Sequence, residues 1–190
     1  MKRIDTDMSD VFLIEPRVFG DSRGYFFESY HEQKFRNLGI KTHFVQDNRS
    51  RSSRGVLRGL HFQLHCPQAK LCSVLQGEVF DVAVDIRVGS PNFGKWVGAI
   101  LSEDNKRQMF IPEGYAHGFV VLSETADFSY KCGDFYHSED EGGVLWCDPS
   151  LGIAWPKMEY VLSDKDKCYL PLNDIPEDKL PHYSFQKEPS

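Results

Sequence analysis

A chain of 190 residues fits one domain and does not demand a second core. Its 41% hydrophobic and 26% charged residues describe a chain able to fold on its own, and a net charge of −6 excludes a surface built for nucleic acid or anionic lipid. Any anionic ligand must therefore be held by a few local cations. Five cysteines, Cys66, Cys72, Cys132, Cys147 and Cys168, lack metal-ribbon or C-x-x-C spacing and read as free thiols. The stretch Met1 to Asp10 carries three acids, and the longest apolar runs are four residues, as in Val11 to Ile14. Neither a signal peptide nor a membrane span is expected, which with reduced cysteines points to the cytoplasm.

The first predicted element is a short helix from His31 to Leu38, with Phe35 and Leu38 three apart and Gly39 as a C-terminal stop. From Val56 to Tyr130 short alternating segments separated by Gly, Pro and Asn give the pattern of an all-β sandwich or barrel. The first of them, GVLRGLHFQ from Gly55, is followed by Lys70–Arg87, which predicts a hairpin turning at Gln76-Gly77. Period-two alternation puts Phe80, Val82, Val84 and Ile86 on one face and Asp81, Ala83 and Asp85 on the other. Further strands are expected from Lys95, Arg107, Gly118 and Ala126. Beyond Trp155-Pro156 the Asp, Lys and Pro content predicts short helical turns, and residues 184–190 are expected to be disordered.

Polar residues inside apolar strands are the candidates for chemistry, since a strand face normally turns apolar groups to the core. Arg58 and His61 interrupt one strand, and Lys70 opens the next. Strict alternation sends Arg58 and His61 to opposite faces unless Gly59 marks a bulge between them. The phrase IPEGYAHGF from Ile111, with its Pro-x-Gly-x-x-His spacing, resembles the second motif of cupin barrels and brings in His117. The first cupin motif would need a His-x-His pair, but the matching stretch is His61-Phe62-Gln63, and His65 lies four residues on. No catalytic metal or other cofactor is therefore expected, and the barrel interior is left for an organic substrate.

Seven phrases, RGYFFESY, FVQDNRS, GVLRGLHFQ, GEVFDVAVDIR, SPNFGKW, IPEGYAHGF and WCDPSLGIAWP, occur in an order that resembles the dTDP-4-dehydrorhamnose 3,5-epimerase family, over about residues 12–166. The resemblance implies an all-β, cupin-like jelly-roll barrel with short peripheral helices, forming a homodimer that exchanges N-terminal strands. It implies epimerisation at C3 and C5 of a dTDP-linked 4-keto-6-deoxy sugar, on the way to dTDP-rhamnose or a related deoxysugar. By the same likeness His61 is the base, Asp166 its dyad partner, Tyr130 the acid and Lys70 the cation beside the enolate oxygen. His117 and Asp81 form a supporting pair, Arg23 and Arg58 contact diphosphate or sugar, and Glu28, Gln46, Asp47 and Asn48 contact the nucleotide. Tyr136 stacks on thymine, and Glu141 and Lys165 are further binding positions. His65 and Cys66 at the pocket rim and His137 beside Tyr136 depart from the family's usual residues.

Three other readings stay open at this level. A 3-only or 5-only epimerase, or one using another nucleotide, would share the same groups. A metal-dependent cupin oxygenase would need stoichiometric iron, and a non-catalytic sugar-binding barrel would need no matched base and acid.

Overall fold

A computed structural model describes residues 1–183, so the expectation of disorder in residues 184–190 lies outside the described residues. In chain order the strands are β1 (Lys2–Asp5), β2 (Phe12–Glu15), β3 (Phe19–Asp21), β4 (Gly24–Phe26), β5 (Gln46–Ser53), β6 (Leu57–Gln63) and β7 (Lys70–Gln76). They continue with β8 (Glu78–Asp85), β9 (Trp96–Ser102), β10 (Gln108–Ile111), β11 (Tyr115–Val121), β12 (Thr125–Cys132) and β13 (Glu141–Gly143). Two short helices, α1 (Glu32–Asn37) and α2 (Asp164–Lys167), sit at the periphery, the first within the span that the sequence predicts.

Two antiparallel sheets face one another. One runs β1-β2-β10-β7-β12-β5, the other β13-β6-β11-β8-β9, and β3 with β4 forms a separate ribbon. This is a jelly-roll arrangement, and it corrects one expectation. The segment Lys70–Arg87 is not a hairpin, because β7 pairs with β10 and β12 while β8 pairs with β11 and β9 in the opposite sheet. Gln76-Gly77 is thus an arch between layers. Gly77 has φ of +79°, and a Cβ there would lie 2.1 Å from the Thr125 carbonyl oxygen, so the arch needs glycine.

The apolar side chains divide into three layers. Between the sheets lie Val79, Ala83, Met109, Phe119, Val121 and Phe128, among others. Val82 and Val84 of β8, with Ile86 just beyond it, point the other way and pack under Leu151, Leu172 and Leu180 of the C-terminal segment. The helix α1 covers the outside of the six-stranded sheet, with Phe35 against Phe12, Ile14 and Phe110. The predicted alternation in β8 is therefore present, and its second face turns Asp81 and Ala83 into the sandwich. An acid on the inward face of a buried strand has to find a partner there.

Candidate active site

The site begins with an irregularity in β6. His61 stands opposite His117, and Arg58 opposite Phe119, so three steps on β6 match two on β11. That extra residue is a bulge, which brings Arg58 and His61 to the same cavity, one of about 390 Å³ that Lys70, His117, Tyr130 and Asp166 also line. Gly59 makes the bulge possible: its φ is +124°, and a Cβ would sit 2.5 Å from the Gly118 Cα.

Asp166 reaches His61 from α2, 105 residues away in sequence, with Asp166 Oδ1 and His61 Nε2 2.6 Å apart. The helix is fixed by Ser163, whose Oγ accepts from the Asp166 backbone N–H at 3.1 Å. Burial opposes ionisation of Asp166, but the hydrogen bond and charge of His61, with help from Ser163 and Lys165, outweigh it and hold its carboxyl below the ordinary aspartate range. A carboxylate can only accept, so this contact is a hydrogen bond in the tautomer whose proton is on His61 Nε2. On the other side of the ring, Nδ1 lies 3.7 Å from Glu141 Oε1. Glu141 is itself paired with Lys165 and accepts from the Tyr136 hydroxyl at 2.9 Å. Its carboxyl also sits below the usual range, because Lys165 and Tyr136 overcome the effect of burial.

The opposite wall comes from the other sheet. Lys70 opens β7 and Tyr130 lies on β12, with the Lys70 ammonium 5.9 Å from the centre of the Tyr130 ring. Burial pushes the Tyr130 hydroxyl up to about 12, despite the opposing influence of Asn48 and Arg58. Arg58 is oriented by Ser52, whose Oγ accepts from Nε and Nη2 at 3.2 and 3.1 Å. An imidazole on one wall and a protonated phenol on the other, with a lysine and an arginine between, can deliver and remove protons from two faces of one bound molecule.

Beneath this cavity His117 and Asp81 form a second pair, with His117 Nε2 and Asp81 Oδ1 2.6 Å apart and both side chains buried. Burial draws the His117 pKa below its ordinary value, more than Asp81 can restore. Cys72 lies against the same nitrogen, Sγ to Nε2 being 3.6 Å.

A sequence profile of the dTDP-4-dehydrorhamnose 3,5-epimerases matches residues 5–174. The chain belongs to that family. It is 56% identical to the dTDP-4-dehydrorhamnose 3,5-epimerase of Shigella flexneri over 168 residues, 87% of this chain and 93% of the relative. With the Escherichia coli K12 enzyme of the same name it shares 51% over 178 residues, 92% and 96% of the two chains. The Legionella pneumophila dTDP-6-deoxy-D-glucose-3,5-epimerase, solved with dTDP-4-keto-L-rhamnose, superposes with a TM-score of 0.94 at 54% identity, covering 96% of this chain and 98% of that one. A 3'-monoepimerase from Streptomyces bikiniensis, solved with dTDP-quinovose, reaches 0.89 at 32% identity, covering 95% and 93%. The jelly roll is common to both kinds of epimerase, so it separates them less than the identity does.

Not every residue that the family likeness singles out meets at the cavity. Arg23 sits on the exposed β3–β4 ribbon, paired with Asp21 at 2.6 Å, and Glu28 is paired with Lys34 beside α1. The run Gln46-Asp47-Asn48 begins β5. Gln46 holds the Tyr136 backbone N–H at 3.0 Å and donates to Asn48 at 3.0 Å, whereas Asp47 points to the other face and binds Lys131 at 2.9 Å. Gln63, in the place of a second cupin histidine, is engaged with the backbones of Cys66, Phe135 and His137. A larger cavity of about 830 Å³, lined by Asp10, His65, Arg87, Glu113 and His182, holds none of the residues assigned to chemistry. Its Arg87 is already bound to Asp85 and Asp10.

Three neighbours of the site escaped the sequence reading. Ser163 was detectable, since Ser-x-x-Asp at 163–166 is a helix-start pattern. Tyr169, whose ring meets His61 edge-on at 5.8 Å, and Cys72 carry no comparable signal.

Proposed function

We propose that this isomerase inverts C3 and C5 of dTDP-4-dehydro-6-deoxy-D-glucose, giving dTDP-4-dehydro-L-rhamnose for dTDP-rhamnose synthesis. The observation that carries the reading is that His61 and Tyr130 face one cavity from opposite sheets, with Lys70 alongside. Hydrogens on C3 and C5 are acidic because the carbanion delocalises onto the C4 oxygen as an enolate. His61, held by Asp166, takes the proton on its second ring nitrogen, and the carboxylate stabilises the imidazolium that forms. Lys70 offers a fixed positive charge to the enolate oxygen, a preorganised interaction that contributes several kcal/mol in a cavity with limited water. Tyr130 returns a proton from the other face, its high pKa keeping it protonated until the enolate collapses. His117 and Asp81 support the floor on which the sugar rests, and Arg58 takes sugar or diphosphate oxygens.

The nucleotide end draws on a second copy of the chain. Phe19, Tyr25 and Phe26 of the β3–β4 ribbon are exposed, at 52%, 61% and 66%, which is uneconomical for an isolated ribbon and suits one laid over a partner. On this reading Arg23 and Glu28 serve the partner's cavity and Tyr136 stacks on thymine, with Gln46, Asp47, Asn48, Glu141 and Lys165 around it. A cytoplasmic setting fits the five free thiols.

NMR of dTDP-4-dehydro-6-deoxy-glucose in deuterated water tests the reaction. Deuterium should enter at C3 and C5 with inversion at both; entry at C3 alone makes the chain a monoepimerase, and no entry makes it a binding protein. Mixed subunits test the dimer. Arg23→Ala and His61→Asn proteins, each inactive alone, should regain activity when their subunits are exchanged, because one hybrid cavity then has both residues intact. No recovery would return Arg23 to its own chain's site.

A further inference from the structure

Cys72, Asp81 and His117 are the one group of metal-capable side chains found together among the described residues, with one ligand atom from each lying within 4.8 Å of the others. They come from three strands, β7, β8 and β11, and are fully or nearly fully buried. The proposed epimerisation uses neither the thiol nor the second carboxylate oxygen of Asp81, and that Oδ2 is buried without a hydrogen-bond partner. An orphaned carboxylate oxygen beside a thiol and an imidazole nitrogen is unusual, because burial of an unpartnered acceptor is costly.

We propose that these three side chains form a binding site for a soft divalent cation, of which zinc is the type, and that its occupation inhibits the enzyme. Tetrahedral zinc, with bonds of about 2.3 Å to sulfur and about 2.0–2.1 Å to nitrogen, separates the two ligands by about 3.6 Å. Cys72 Sγ and His117 Nε2 already stand 3.6 Å apart. Asp81 Oδ1, at 2.6 Å from the same nitrogen, has to draw back by less than an ångström to about 3.4 Å. The donor set of thiolate, imidazole and carboxylate selects zinc over magnesium or calcium, which prefer all-oxygen shells. On coordination the Cys72 thiol releases its proton to water as the sulfur–metal bond forms, the proton that His117 Nε2 shares with Asp81 moves by way of water to Nδ1 so that Nε2 can bind the metal, and no electron is transferred.

Of the three ligands, His117 also lines the substrate cavity, together with Lys70. Lys70 repels a second cation, while the thiolate and carboxylate supply two negative charges. The site is therefore one that loads from a zinc excess rather than one built around a resident ion. Loading takes Asp81 from His117 and sets a dication beneath the place of the sugar, so turnover falls. This effect on turnover rests on the proposed epimerase reading; the binding does not.

Cobalt(II) replaces zinc as a visible probe in the chelator-treated, full-length protein. One equivalent should give the near-ultraviolet thiolate-to-cobalt charge-transfer band, and zinc should displace it. Cys72→Val and Cys72→Ala should lose the band, keep zinc-free turnover, and weaken zinc inhibition at least about tenfold, the least expected for removal of a direct ligand. Magnesium and calcium should leave turnover unchanged. Absence of the band in the wild-type protein overturns the site whether or not the enzyme is active. Zinc inhibition unchanged in both folded Cys72 variants overturns it too, placing the metal elsewhere. A protein with the band but no epimerase activity keeps the site and loses the reading of the reaction.

Discussion

The two carboxylate–histidine pairs have the same 2.6 Å separation and opposite surroundings. His61 keeps 28% of its side chain exposed and is held by an acid from a distant helix, whereas His117 keeps 6% and is held by an acid from the adjacent strand β8. The first pair can exchange a proton with a bound molecule and with water. The second packs against Phe119 and Phe128, whose rings lie 6.4 and 5.9 Å from His117, and burial draws the His117 pKa below its ordinary value. Equal geometry in unlike surroundings suits the first pair to exchange protons and the second to brace the fold, and burial makes the difference.

Substitution should split the pairs into an activity effect and a stability effect. His61→Asn removes the proposed base, and turnover should fall by about 10³-fold or more, within the span of general acid–base contributions. Deuterium entry should vanish at C3 and C5 together, while denaturant unfolding shifts by less than about 1 kcal/mol, since Asn can still donate to Asp166. Residual exchange above a buffer blank would assign the base elsewhere. Asp81→Ala should do the reverse in stability, leaving the buried His117 without its acceptor at a cost of about 3 kcal/mol. Urea unfolding that matches the wild type would show that the inner pair is no strut.

A third substitution reaches both pairs through the backbone. Gly59→Ala puts a Cβ 2.5 Å from the Gly118 Cα, on a strand position with φ of +124°, and should cost about 1–3 kcal/mol. Because Gly59 lies between Arg58 and His61, turnover should fall as well, more than it does for Gly89→Ala, where a Cβ meets open space. Equal losses in the two variants would separate the bulge from the site.

How much of this was legible follows from the physical source of each signal. The strand β8 and the helix α1 were readable because alternation and a glycine stop are local properties. The partner of β7 was not, since alternation marks a buried face without naming the neighbouring strand, and the jelly roll sends β7 and β8 to different sheets. The strand β5, QDNRSRSS, has no apolar residue to alternate, and its pairing with β12 supplies what propensity does not. At the site, Gly59 was the readable clue that reconciled Arg58 with His61. The pairing of His61 with Asp166 spans 105 residues and was reached only through likeness to the family. Cys72 reads in the sequence as one free thiol among five, and only the strands place it against His117.

The smallest expected effect concerns the wall facing both pairs. Tyr130→Phe deletes the phenol while retaining its ring among Phe128 and His117. If Tyr130 is the acid, His61 still forms the enolate, so deuterium continues to enter while inverted product declines. The ratio of exchange to inversion should rise at least about tenfold, or about 1.4 kcal/mol. A parallel fall in both makes Tyr130 a positioning group, and no fall in either assigns the acid elsewhere. The same substitution has a pH signature. The folded-state pKa of Tyr130 is raised from 10.0 to about 12. A raised pKa contributes stability that is fully present below the unfolded value and lost as pH rises through the folded one. Relative to Tyr130→Phe, the wild-type protein should therefore hold a constant stability difference up to about pH 9 and lose on the order of 2 kcal/mol of it by about pH 12. Thermal unfolding of both proteins across that range reads the difference directly, because every other ionising group is common to the two. A difference that stays flat through pH 12 would mean that the phenol ionises as freely in the folded protein as in the unfolded chain, and Tyr130 would lose the property that suits it to be the acid.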